Sequence, residues 1–167
     1  HGVLIEYLLS QDNADKADTL LQSLPANALP KSEREILIGR IQMLRKDWKN
    51  AEASLQRAVA YSAPGSSLQQ RAQMLQAICL SNFGDSATAV DAFRSILTAA
   101  PESVAGRLGM ASAWIKAGRK DLAIAEYRQL LDVPGVPAFL GDLVIQRNLE
   151  QPAGLRDWNS VANLVRE

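Results

Sequence analysis

The chain has 167 residues, 47% hydrophobic and 22% charged, an ordinary balance for a folded domain. Lysine plus arginine and aspartate plus glutamate stand at 18 each, so the basic excess expected of a nucleic-acid binder is missing. One histidine (His1) and one cysteine (Cys79) leave no intramolecular disulfide, no nucleophile–histidine dyad in the folded body and few metal sets.

In chain order, the first helical pattern is VLIEYLL, followed by DNADKADTLLQSLP, in which Ala17, Leu21 and Leu24 share one face. SEREILIGRIQML precedes DWKNAEASLQRAVAYSAP, whose face is Ala51, Leu55, Ala58 and Val59. After the turn-forming run from Ser62 to Ser67, QRAQMLQAICLSNF precedes GDSATAVDAFRSILTAAP, with Ala89, Phe93, Ile96 and Leu97. Gly84 is read there as a break, Asp85 as a cap and Pro101 as a stop. SVAGRLGMASAWIKA then precedes GRKDLAIAEYRQLLDVPG, with Ala123, Tyr127, Leu130 and Leu131.

These faces recur at a fixed distance. From Ala17 to Ala51 is 34 residues and from Ala89 to Ala123 again 34, while Ala51 to Ala89 is 38. The four extra residues fall most simply in the turn after Tyr61. The preceding helix of each pair carries a small residue at one register: Gly39, Ala77 and Ala111. A minimal side chain there lets a neighbouring helix approach closely. There is no sustained alternation of β-branched residues and no Asn-Gly turn. The expectation is a row of antiparallel helix pairs.

The pattern resembles tetratricopeptide repeats, which read Trp-x2-Leu-Gly-x2-Tyr, then Ala-x3-Phe, then Pro, every 34 residues. The Ala-x3-Phe element is carried by Ala17/Leu21, Ala51/Leu55, Ala89/Phe93 and Ala123/Tyr127. The first-helix element is best in Met110-Ala111 and Trp114. It departs elsewhere: Glu35, Gln73 and Arg107 hold the tryptophan position, and Gln42 a tyrosine position. The resemblance covers residues 2–134 and implies an all-α, right-handed α-solenoid of about five antiparallel helix pairs. The repeats would span 1–31, 32–68, 69–103 and 104–136, with an irregular fifth pair over 137–167, where RDWNSVANLVRE echoes KDWKNAEASLQR. One domain, excised from a longer protein, is expected, because neither end carries a polar capping helix. Trp48, Trp114 and Trp158 fall where repeats pack between helices.

Catalytic chemistry finds no foothold. Neither phosphate-binding glycine motif is present, and Glu33 with Glu35 reads as a solvated helix face. The basic pairs Arg45-Lys46 and Arg119-Lys120 are expected in solvated turns, and Cys79 in the core. No enzyme activity, cofactor or metal is expected, nor a nucleic-acid partner. No apolar run reaches the roughly 18 residues of a membrane helix, so no membrane insertion is expected. The reading is of a soluble chain, with cytoplasm and bacterial periplasm both left open.

The family usually binds a peptide or protein on the surface lined by first helices. The core stripe of those helices is read as Leu37, Ile38, Ile41 and Leu44, and as Met110, Ala111 and Trp114. Apolar residues outside that stripe then suggest a partner groove of Ile36, Arg40, Met43, Arg71, Met74, Ile78, Leu108, Ser112 and Ile115. The same side chains could instead pack neighbouring first helices together. The family's carboxylate clamp needs Lys, Asn and Arg where this chain has Ile36, Leu37, Arg40, Arg71 and Leu75, so that ligand class is not expected. A carbohydrate-handling solenoid would want more groove aromatics. The competing reading is a structural spacer or oligomerisation segment of a larger bacterial secretion, polysaccharide-export or cell-envelope protein, with self-association left open.

Overall fold

A computed structural model describes residues 2–84 and 86–166, with Ser160 and residues 164–166 described by backbone alone. His1 and the expected cap Asp85 lie outside the described residues. The regular structure is α-helical: α1 (Gly2–Ser10), α2 (Ala14–Ser23), α3 (Lys31–Leu44), α4 (Trp48–Tyr61), α5 (Ser67–Phe83), α6 (Ser86–Ala99), α7 (Val104–Lys116), α8 (Lys120–Tyr127), α9 (Val136–Glu150) and α10 (Trp158–Arg166). Short 3-10 turns cover Arg128–Leu130 and Ala153–Leu155. Among the described residues there is no strand.

The helices start where the chain supplies an oxygen for the exposed first-turn amides. Asn13 caps α2, Asp47 caps α4, Ser66 caps α5 and Ser103 caps α7, each accepting from a backbone N–H three residues on. The turns inside three pairs pass through a left-handed residue: Asp12 (φ 54°), Lys46 (φ 59°) and Gly118 (φ 71°). Asp12 and Lys46 are one repeat length apart (46 − 12 = 34). Glycine takes this conformation freely, whereas a lysine is strained in it.

The chain forms two compact units, His1–Ala92 and Phe93–Glu167. In the first, Ile5, Leu9, Ala17, Leu21, Leu37 and Ile41 bring α1, α2 and α3 together. Ala51, Leu55 and Cys79 continue the core through α4 and α5. Gly39 has the role expected of it, because a Cβ there would stand 2.7 Å from Leu55 Cγ. In the second unit, Phe93 lies over the backbone of Gly109. A core of Ala111, Ala123, Tyr127, Leu140, Leu143 and Val144 joins α7, α8 and α9, with Val161 of α10 added. The rings of Tyr127 and Phe139 meet at 5.0 Å with a 58° tilt, within the favoured range for aromatic pairs.

The repeat alanines Ala17, Ala51, Ala89 and Ala123 are all fully buried. Other expectations are corrected. Leu44 closes α3 at an exposed end and leaves the core stripe. Helix α8 stops at Tyr127 and tightens into a 3-10 turn, which turns Leu130 inward and leaves Leu131 exposed. Trp158, at the first position of α10, is 48% exposed and so is no core residue. Lys120 opens α8 instead of lying in the turn, and pairs with Glu150. Arg45 is exposed but reaches both Asp15 and Asp18 at 2.8 Å, a surface arrangement of small energetic weight.

Candidate interaction surfaces

Ile36 is 1% exposed and packs with Ala58 and Ala72. It is therefore withdrawn from the candidate groove. The reason is geometric: α3 contacts α1, α2, α4 and α5, so it needs apolar residues on more than the one face that Leu37 and Ile41 define.

Elsewhere in the first unit, Arg40, Met43, Met74 and Ile78 are half-buried and Arg71 is exposed. Met43 leans on the core formed by Ala51, Leu55 and Cys79. The two arginines share one carboxylate. Glu6 of α1 forms an ion pair with Arg40 of α3 and another, at 2.6 Å, with Arg71 of α5. Three first helices are thus tied by one side chain. Burial, reinforced by the charge of Arg71, lowers the pKa of Arg40, and the cluster carries one positive charge in excess. Glu6 was detectable in the sequence, since it precedes Arg40 by one repeat length (40 − 6 = 34).

In the second unit, Leu108, Ser112 and Ile115 lie along α7 at i, i+4 and i+7 and are half-buried. Leu108 and Ile115 also touch the core below them.

The departures from the aromatic motif have a structural counterpart. Glu35, at a tryptophan position, accepts from Arg57 Nε at 3.1 Å. Arg57 donates onward to Ser54 Oγ at 3.0 Å, and the Ser54 hydroxyl donates to Gln42 Oε1 at 2.9 Å. A polar chain through α4 therefore joins the residues at the tryptophan and tyrosine positions of α3. In the fourth repeat, Arg107 donates to Glu126 at 3.1 Å. Glu126 occupies the place of Ser54 (126 − 54 = 72, as 107 − 35 = 72). Cross-helix hydrogen bonds stand in both repeats where the motif has aromatic packing.

Cys79 is fully buried, and burial, helped by the nearby negative charge of Glu52, pushes its thiol up to about 12. It is a core residue and holds no thiolate near neutral pH. Among the described residues no group of three His, Cys, Asp or Glu side chains could hold a metal ion. No helix there is long and apolar enough to cross a membrane.

Side-chain caps, alanines buried at repeat spacing and consecutive helices packed in pairs define an all-α helical-repeat protein. A tetratricopeptide-repeat family model matches residues 36–104 and 75–137, and the chain belongs to that family. Repeats of this kind generally mediate protein–protein interaction and are typically non-catalytic. No curated protein sequence matches the chain.

Proposed function

We propose that the chain is a non-catalytic scaffold that holds a protein or peptide partner against its first helices. The observation that carries this reading is the surface on α3 and α5. Met74 and Ile78 lie one turn apart and half-buried, and Arg40 and Arg71, which share the Glu6 carboxylate and leave one positive charge in excess, stand on the same two helices. Apolar area beside charged groups that fix orientation is the usual composition of a partner site. Met43 borders it, and Leu108, Ser112 and Ile115 offer a corresponding stripe on α7. That the helix pairs act as one repeat domain is part of the same proposal.

The test is selection of peptide ligands against the full chain, followed by Met74→Asp and Leu108→Asp singly and together. Binding should be lost with helicity and thermal stability nearly intact. If the variants unfold, these residues serve the core and the reading fails.

One observation favours the second reading, an oligomerisation or spacer segment. Val3, Leu4 and Tyr7 of α1 are exposed at 84%, 52% and 60%. Self-association in sedimentation equilibrium that is abolished by Leu4→Glu would support it over the adaptor role.

A further inference from the structure

A cavity of about 260 Å³ opens between α8, α9 and the start of α10, lined by Asp121, Arg128, Arg147, Asn148 and Asp157 over an apolar floor that includes Val144. It lies wholly within the second unit and shares no residue with the surfaces already described. Asn148 is its most informative member. The residue is 4% exposed, and its Oδ1 accepts from the backbone N–H of Asp157 at 2.9 Å. Its Nδ2 is buried with no hydrogen-bond partner. A buried amide donor without an acceptor is uncommon, because leaving it unpaired forfeits the water it had before folding.

The charges around Asn148 divide unequally. Arg147 forms an ion pair with Asp121 through its Nε, which finds no directed hydrogen bond there. Asp157 also has an interaction of its own. Arg128, in the 3-10 turn after α8, is exposed and takes part in none of the ion pairs formed among the described residues. The groups left over, the Asn148 amide and the Arg128 guanidinium, can only donate. Their natural complement is an acceptor carrying negative charge. The volume sets the scale: it falls just below the roughly 300 Å³ at which small-molecule pockets begin, which suits one side chain or a chain terminus better than a cofactor.

We propose that this cavity is a carboxylate-binding site, taking an acidic side chain or a C-terminus through Asn148 Nδ2 and Arg128. The Oδ1 bond to Asp157 fixes the amide, so its nitrogen is the donor left for the ligand to satisfy.

The experiment is an NMR titration of the full chain, following the Asn148 side-chain amide. The probes are an acetylated, amidated Glu-Glu dipeptide (side-chain carboxylates), acetyl-Gly-Gly with a free C-terminus, and the amidated Gln-Gln dipeptide as neutral control. A saturable shift with either acid and none with Gln-Gln is expected, and the stronger acid identifies the source. Arg128→Gln, at an exposed position, should weaken binding about tenfold. Asn148→Asp keeps the Oδ1 acceptor but removes the donor, and should abolish binding. The proposal is overturned if no acid gives a saturable shift, if Gln-Gln matches the acids, or if Arg128→Gln binds as the parent does. The last criterion holds even if Asn148→Asp fails to fold.

Discussion

Phe93 of α6 lies against the bare backbone of Gly109 in α7, so close that a Cβ on Gly109 would stand 2.2 Å from Phe93 Cε1. Glycine in a helix interior costs up to about 1 kcal/mol against alanine, yet here the missing methyl admits the ring. Gly109→Ala should therefore destabilise, contrary to helix propensity, by about 1–3 kcal/mol. Phe93→Ala should cost about 3–5 kcal/mol by leaving a cavity. In the Phe93→Leu background Gly109→Ala should cost less, because the two sites share one contact. Urea titration of the four variants checks this, and a stabilising Gly109→Ala would refute it.

The Arg107–Glu126 bond carries the second prediction. The two side chains are only 21% and 13% exposed, so removing one strands the other in a poorly solvated place. Arg107→Ala should cost about 1–3 kcal/mol, at the low end because some solvent reaches both. Arg107→Met with Glu126→Leu should come within about 1 kcal/mol of the parent, as apolar replacement of a mostly buried pair often does. Equal losses in the single and double variants would show that the bond has no special part in stability.

These two contacts mark where reading the residues succeeds and where it stops. The helix pairs were legible because Ala17, Ala51, Ala89 and Ala123 recur in register and each is fully buried, where a larger side chain would not fit. Cys79 was legible as core for the same reason of register. The Glu35–Arg57–Ser54–Gln42 chain was not, because a motif names side-chain types while the hydrogen bonds depend on alignment between two helices. Nor does anything in the chemistry of Lys46 announce its left-handed conformation; only its place one repeat after Asp12 does. Ile36 was misplaced by assuming a single core face for α3, a helix with neighbours on several sides. The Asn148 cavity is built largely from α9 and the start of α10, where the 34-residue periodicity has ended.

Cys79 gives a pH prediction. Its thiol is raised from 9.0 to about 12, so the native state keeps a proton that the unfolded chain releases. The unfolded state binds fewer protons between those values, and stability should fall as pH rises from about 9 towards about 12. Cys79→Ala should flatten that part of the profile. At pH 8 the native thiol should react with iodoacetamide far more slowly than in the urea-unfolded chain, because burial keeps it protonated and out of reach. Rapid native-state alkylation would contradict the burial.

Glu6 supplies the last prediction. Its carboxylate stands between two guanidinium groups, and Arg40 is the more enclosed, with its side chain 25% exposed against 42% for Arg71. Glu6→Gln keeps the shape and removes the charge, leaving two cations facing each other. The loss should be about 1 kcal/mol, since solvent still screens much of the cluster. Screening also fixes the sign of the salt effect: at 1 M salt the Debye length is about 3 Å, so mutual repulsion fades. Added sodium chloride should therefore narrow the gap between Glu6→Gln and the parent. Adding Arg71→Gln to Glu6→Gln should recover stability, because one guanidinium then stands without a like-charged neighbour. Chemical denaturation by urea, which leaves ionic strength free to vary, measures all three. A gap that is independent of salt, or a double variant less stable than Glu6→Gln alone, would mean that Arg71 holds α5 by packing and not by charge.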